Sequence, residues 1–121
     1  MKLEKINASF SVLKVSSVEH IDLTGDFVFV SKTDNEVSLV CETKYSPHNA
    51  THSEQGWIML RICGTLEFSM VGVIAAISNI LASISVPIFV ISTYDTDYVL
   101  LKEVYYDKAL SVLTKNGYII I

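Results

Sequence analysis

The side chains best suited to chemistry in this chain sit in one short polar stretch: Thr93, Asp95, Thr96 and Asp97. Carboxylates two positions apart suggest acid–base work, which requires a substrate held between carboxyls in unlike environments. Neighbours on one exposed bend do not supply that difference, and Asp is a turn former in its own right. The stretch therefore reads as a turn able to pair with a ligand, not as a reaction centre. His48 and His52 stand four apart, the spacing that gathers metal ligands on one helix face. Pro47, Asn49 and Thr51 weaken a helix there and no Cys or Glu completes a set, so solvated loop histidines are expected. His20 stands apart. Cys41 and Cys63 each close an apolar run and read as free thiols, buried or half-buried, in a reducing compartment. No Ser-His-Asp constellation, glycine-rich phosphate loop or Cys-x-x-Cys motif occurs, and no nucleophile has a placed base. The expectation is a protein that is no enzyme and uses no metal or cofactor.

Those residues need elements to hold them. Apolar, β-prone runs flank the Thr93–Asp97 turn on both sides and predict a hairpin. A similar stretch, Phe27–Glu42, aligns with Ile88–Glu103 without gaps: Ser31 falls on Ser92, Asp34 on Asp95, Leu39 on Leu100 and Glu42 on Glu103. This points to internal duplication. Trp57–Cys63 alternates as a strand, with Ile58, Leu60 and Ile62 on one face and Arg61 on the other. Ser69 is a suitable N-cap for a helix from about Met70 to Ser83, with Val73, Ile77, Ile80 and Ile84 on one stripe. A second helix covers Val104 to Lys115, stopped by Asn116-Gly117. Tyr118–Ile121 closes as a strand.

The second half therefore reads βαββαβ, an α+β ferredoxin-like order with two helices on one sheet face. The first half is a reduced, β-rich counterpart. Phe10–Val15 mirrors Trp57–Ile62, no helix fits between Ser16 and Asp26, and Lys44 to Gln55 reads mainly as loop. The domain expectation is 1–56 and 57–121.

Composition bounds the partners. With 121 residues, half of them hydrophobic, the chain can bury a core without metal or disulfide staples. A net charge of −4, with nine scattered basic residues, argues against nucleic acid and anionic membranes. Phe68 to Tyr94 carries no charge, yet its serines and Pro87 favour a buried helix followed by a strand over a membrane span. Asn7 and Asn49 match glycosylation acceptors, but no secretory leader pattern precedes them, so a cytoplasmic, soluble protein is expected.

Gly56-Trp57, Ile62–Gly72 and Ile88–Tyr98 together resemble the ACT-domain superfamily, in particular small tandem-ACT proteins related to amino-acid sensors of nutrient signalling. The resemblance is strongest from Trp57 onward. It implies a ferredoxin-like regulatory module that binds a small ligand, typically an amino acid, where two ACT domains meet, and a homodimer. Carried onto this sequence, the contacts fall on Leu66, Phe68, Ser69, Met70, Val71, Gly72, Thr93, Asp95, Thr96 and Asp97. Amides at the helix start would receive an α-carboxylate. Asp95 or Asp97 would pair with an α-ammonium or a cationic side chain. Arginine-sensing relatives carry acidic residues where this chain has Ser69-Met70, so arginine is not the expected ligand; Phe68 and Met70 favour a less polar side chain. The competing expectation is a ligand-free ACT-like dimerisation module, with Trp57 as an interface anchor.

Overall fold

The computed structural model describes residues 1–64 and 71–121. In chain order the strands are β1 (Lys2–Lys5), β2 (Phe10–Val15), β3 (Val28–Lys32), β4 (Val37–Glu42) and β5 (Ala50–Ile62), then β6 (Phe89–Ser92), β7 (Asp97–Lys102) and β8 (Ile119–Ile120). Helix α1 is Val73–Ser83 and α2 is Tyr106–Lys115. The chain divides into two units, Met1–Asn7 with Ile58–Ile121, and Ala8–Trp57.

The unit containing the helices is α+β and ferredoxin-like. Its strands run β6, β7, β5, β1, β8, with β1 antiparallel to β5 and parallel to β8. Alternation along β5 and β7 sends Ile58, Leu60, Ile62, Val99 and Leu101 into one core. Ile77 and Leu81 of α1, and Ala109 and Leu113 of α2, enter the same core at helical i, i+4 spacing. Leu81 was not on the expected stripe, yet with Ile77 it is the fully buried part of α1.

The order strand, helix, strand, strand, helix, strand is present from β5 to β8, with one addition. Strand β1 lies between β5 and β8, where the expected βαββαβ order would place the last strand beside the first. Its single buried side chain, Leu3, gives too short an alternation to announce a strand. The cross-strand pair Glu4–Arg61, with Nη2 to Oε1 at 2.7 Å, fixes its register.

Helix α1 starts later than expected. Gly72 is its N-cap at φ +80°, a left-handed conformation that a helical turn cannot contain. The expected cap Ser69, and Met70, lie outside the described residues. A 3-10 turn, Glu103–Tyr105, precedes α2, and Gly117 at φ +90° follows its end as anticipated.

The other unit has strand order β3, β4, β2, β5 around a core of Leu13, Val15, Leu39 and Cys41. The expected loop from Lys44 to Gln55 is overturned: Ala50 to Gln55 is strand, paired with β2 through Val15↔Ala50, Lys14↔His52, Leu13↔Ser53 and Val12↔Glu54. Thr51 to Gln55 are exposed on both faces, so backbone pairing rather than apolar alternation makes this strand.

The two hairpins match more closely than the gap-free alignment implies, but one residue out of phase with it. Thr33 N–H donates to Glu36 C=O at 2.9 Å, and Thr93 N–H donates to Thr96 C=O at 2.8 Å. Lys32 faces Val37 as Ser92 faces Asp97. Thr33 thus coincides with Thr93, and Leu39 with Val99, not Leu100. A one-residue slip would turn each strand's apolar set to the wrong face. In this phase the buried triplets Leu39–Cys41 and Val99–Leu101 coincide, and each strand runs into a 3-10 turn.

Candidate functional site

The hairpin turn is held from within. Thr93 donates its N–H and its hydroxyl to Thr96 C=O, at 2.8 and 3.0 Å. Thr96 is buried, and its hydroxyl donates to Ile62 C=O at 2.8 Å. That bond ties the turn to the point where β5 ends and the chain leaves through Cys63-Gly64. The polar groups of Thr93 and Thr96 are therefore engaged in shaping this corner. Asp95 is exposed at the tip, and Asp97 is half-buried opposite Ser92.

Val71 is 91% exposed and leads into Gly72. The first bond of α1 runs from Ala76 N–H to Gly72 C=O at 2.9 Å. The amides of Val73, Ile74 and Ala75 have no acceptor within the helix, and form its positive end. Beside Val73 lies a cleft of about 260 Å³, lined by Met1, Val73, Asn116, Gly117 and Tyr118. Its far wall is the end of α2. There Asn116 Nδ2 donates to Val112 C=O at 2.8 Å, and Tyr118 N–H donates to Leu113 C=O at 3.1 Å, closing a left-handed cap on Gly117. The cleft therefore lies between the positive pole of one helix and the negative pole of the other. That polarity suits a small zwitterion.

Of the described residues expected to bind a ligand, none lines this cleft: Val71 and Gly72 precede the lining residue Val73 in sequence, and Thr93, Asp95, Thr96 and Asp97 belong to the β6–β7 hairpin. Leu66, Phe68, Ser69 and Met70 lie outside the described residues. Sequence reasoning found Val73 as a core residue and Asn116-Gly117 as a cap. The cleft itself follows from the antiparallel packing of α1 and α2, which no local motif encodes.

The remaining candidates resolve differently. His52 is exposed in β5, with Nδ1 3.1 Å from Thr51 Oγ1. His48 lies on a turn, so the helical pair does not form; its ring instead packs on His20, centroids 4.4 Å apart. No group of three or more His, Cys, Asp or Glu suited to a metal occurs among the described residues. Cys41 is buried and Cys63 half-buried, both free; burial pushes the Cys41 thiol above its ordinary range. No helix among the described residues is long and apolar enough to cross a membrane. The uncharged stretch resolves into α1 and β6.

A family model described as ACT domain matches residues 52–115. Protein Atu0741 from Agobacterium tumefaciens is 27% identical, with a TM-score of 0.88 over 99% of this chain and 91% of its own. Protein VC0802 from Vibrio cholerae is 18% identical, TM-score 0.76, over 92% of this chain and 85% of its own. Aspartate kinase from Clostridium acetobutylicum, an allosteric enzyme, is 16% identical with a TM-score of 0.67; the match covers 93% of this chain and 33% of the kinase. The last two likenesses are of fold alone. No curated protein matches.

Proposed function

Because the chain belongs to the ACT-domain family, whose members are small-molecule-binding regulatory domains, we propose that it is a non-catalytic regulator that binds an amino acid where α1 begins. The observation that carries this reading is the cleft between the start of α1 and the end of α2. The first amides of α1, Val73–Ala75, which have no acceptor within the helix, would take the α-carboxylate, and carbonyls at the end of α2 would face the α-ammonium. Leu66, Phe68, Ser69, Met70, Val71 and Gly72 would cover the ligand, with Phe68 and Met70 against a weakly polar side chain. Thr93 and Thr96 would hold the corner, and Asp95 or Asp97 would be the alternative partner of the α-ammonium. The ligand would be completed at an ACT–ACT junction of a cytoplasmic homodimer.

The like geometry of the two hairpins supports the duplication, with 1–56 a reduced copy of the ACT domain at 57–121. A ligand that binds only the folded state raises stability by about 2.7 kcal/mol at a hundredfold excess over Kd. A thermal-shift panel of amino acids should therefore give a selective rise in Tm; no rise with any of them at millimolar concentration contradicts the proposal.

Strand β8 ends the sheet order and exposes Ile119, which favours a second reading, a ligand-free dimerisation module. Light scattering with and without each amino acid, alongside the panel, separates the two. A sensor gives a selective ligand response while staying folded, and a pure assembly module dimerises with no response to any amino acid.

A further inference from the structure

In the unit Ala8–Trp57, His20 and His48 come from segments far apart in sequence, yet their rings lie with centroids 4.4 Å apart and planes 50° apart. Both side chains are exposed, so a cation can reach them without desolvating the protein interior. Their backbones are also fixed. Asn49, next to His48, donates through Nδ2 to Ser16 Oγ and to Ser17 C=O, both at 3.3 Å, and its carbonyl accepts from Ser16 N–H at 3.4 Å. On the other side of His20, Ile21 packs against the Leu13, Val15, Leu39 and Cys41 core, and its N–H donates to Val18 C=O at 3.2 Å. The loop that carries His20 is thereby held to the turn that carries His48 before any ion arrives, which lowers the backbone part of the ordering cost of chelation.

The spacing has a chemical meaning. Two imidazole nitrogens bound to one metal at about 2.0–2.1 Å and at right angles set their ring centres about 4.5 Å apart. The observed centroid separation equals that of this cis arrangement, and rotation of the two exposed rings about χ2 would turn one nitrogen of each toward a shared ion. From these observations we propose that His20 and His48 form a two-histidine site for a divalent cation with a square-planar or octahedral preference, of the Ni2+ or Cu2+ class. No third His, Cys, Asp or Glu completes the set among the described residues, so water fills the remaining positions. The chain's net charge of −4 favours the approach of a cation. Bound metal would fasten the Ser16–Asp26 loop, which stands where the other hairpin-bearing unit has α1, to the turn ahead of β5.

Titration of the full chain with Ni2+, read by calorimetry and by paramagnetic broadening of amide signals, tests the site. The expected result is one saturable site, with broadening confined to residues near His20 and His48. Loss of the two-point attachment in His20→Ala or His48→Ala should weaken Ni2+ by more than about tenfold, because chelation is lost. His52→Ala, altering an exposed histidine on β5, should bind as the parent does. No saturable binding at millimolar Ni2+, unchanged affinity in both single variants, or an equal loss in His52→Ala overturns the proposal.

Discussion

At the scale of single residues, Thr96 does more to hold the β6–β7 turn than either neighbouring aspartate. Its buried hydroxyl joins the hairpin turn to the last residue of β5. Thr96→Val keeps the shape but leaves the Ile62 carbonyl without that donor, so it should cost about 1–3 kcal/mol in urea denaturation. The sequence marked Thr96 only as one polar turn residue. Its partner is remote in the chain, and a hydroxyl's hydrogen bond to a distant carbonyl leaves no local pattern. Cys41 was more legible: closing an apolar run, it is buried as its setting implied. Burial raises its thiol pKa, so the unfolded chain ionises first and folded-state stability falls as pH rises past the ordinary thiol value. Cys41→Ala should therefore lose less stability than the parent between about pH 8 and about pH 10, seen as a smaller drop in denaturation midpoint. An equal drop would show that the buried thiol does not contribute.

At the scale of elements, amphipathic pattern was readable and pairing was not. Val73–Ser83 and Tyr106–Lys115 carry apolar positions at helical spacing, and both form helices. Their starts were less legible, because Gly72 at positive φ and the 3-10 turn at Glu103–Tyr105 are backbone choices that apolar periodicity does not report. Strand β1 and the first half of β5 escaped for a related reason. One has a single buried side chain and the other is polar on both faces, so their hydrogen-bonded neighbours define them. Burial also ranks the helix positions. Leu81 is fully buried between sheet and helices, so Leu81→Ala should cost about 2–5 kcal/mol through lost contact and the cavity left behind. Val104 is 83% exposed, and Val104→Ala should change stability by less than about 0.5 kcal/mol. Similar midpoints for the two variants would contradict this assignment of the core.

At the scale of the whole molecule, the α+β class and the ACT resemblance were present in Gly56-Trp57, Ile62–Gly72 and Ile88–Tyr98, and the family match at residues 52–115 agrees. The cleft was not, because Val73 and Asn116–Tyr118 become neighbours only when α1 and α2 pack antiparallel. The proposed function rests on that juxtaposition of opposite helix poles around a space of amino-acid size. Amide spectra of the full chain, recorded against each common amino acid in turn, test it most directly. The expected outcome is saturable shifts for a small subset of weakly polar amino acids, centred on Val71–Ala75 and Asn116–Tyr118. Shifts confined to other regions, or none with any amino acid at millimolar concentration, would contradict it.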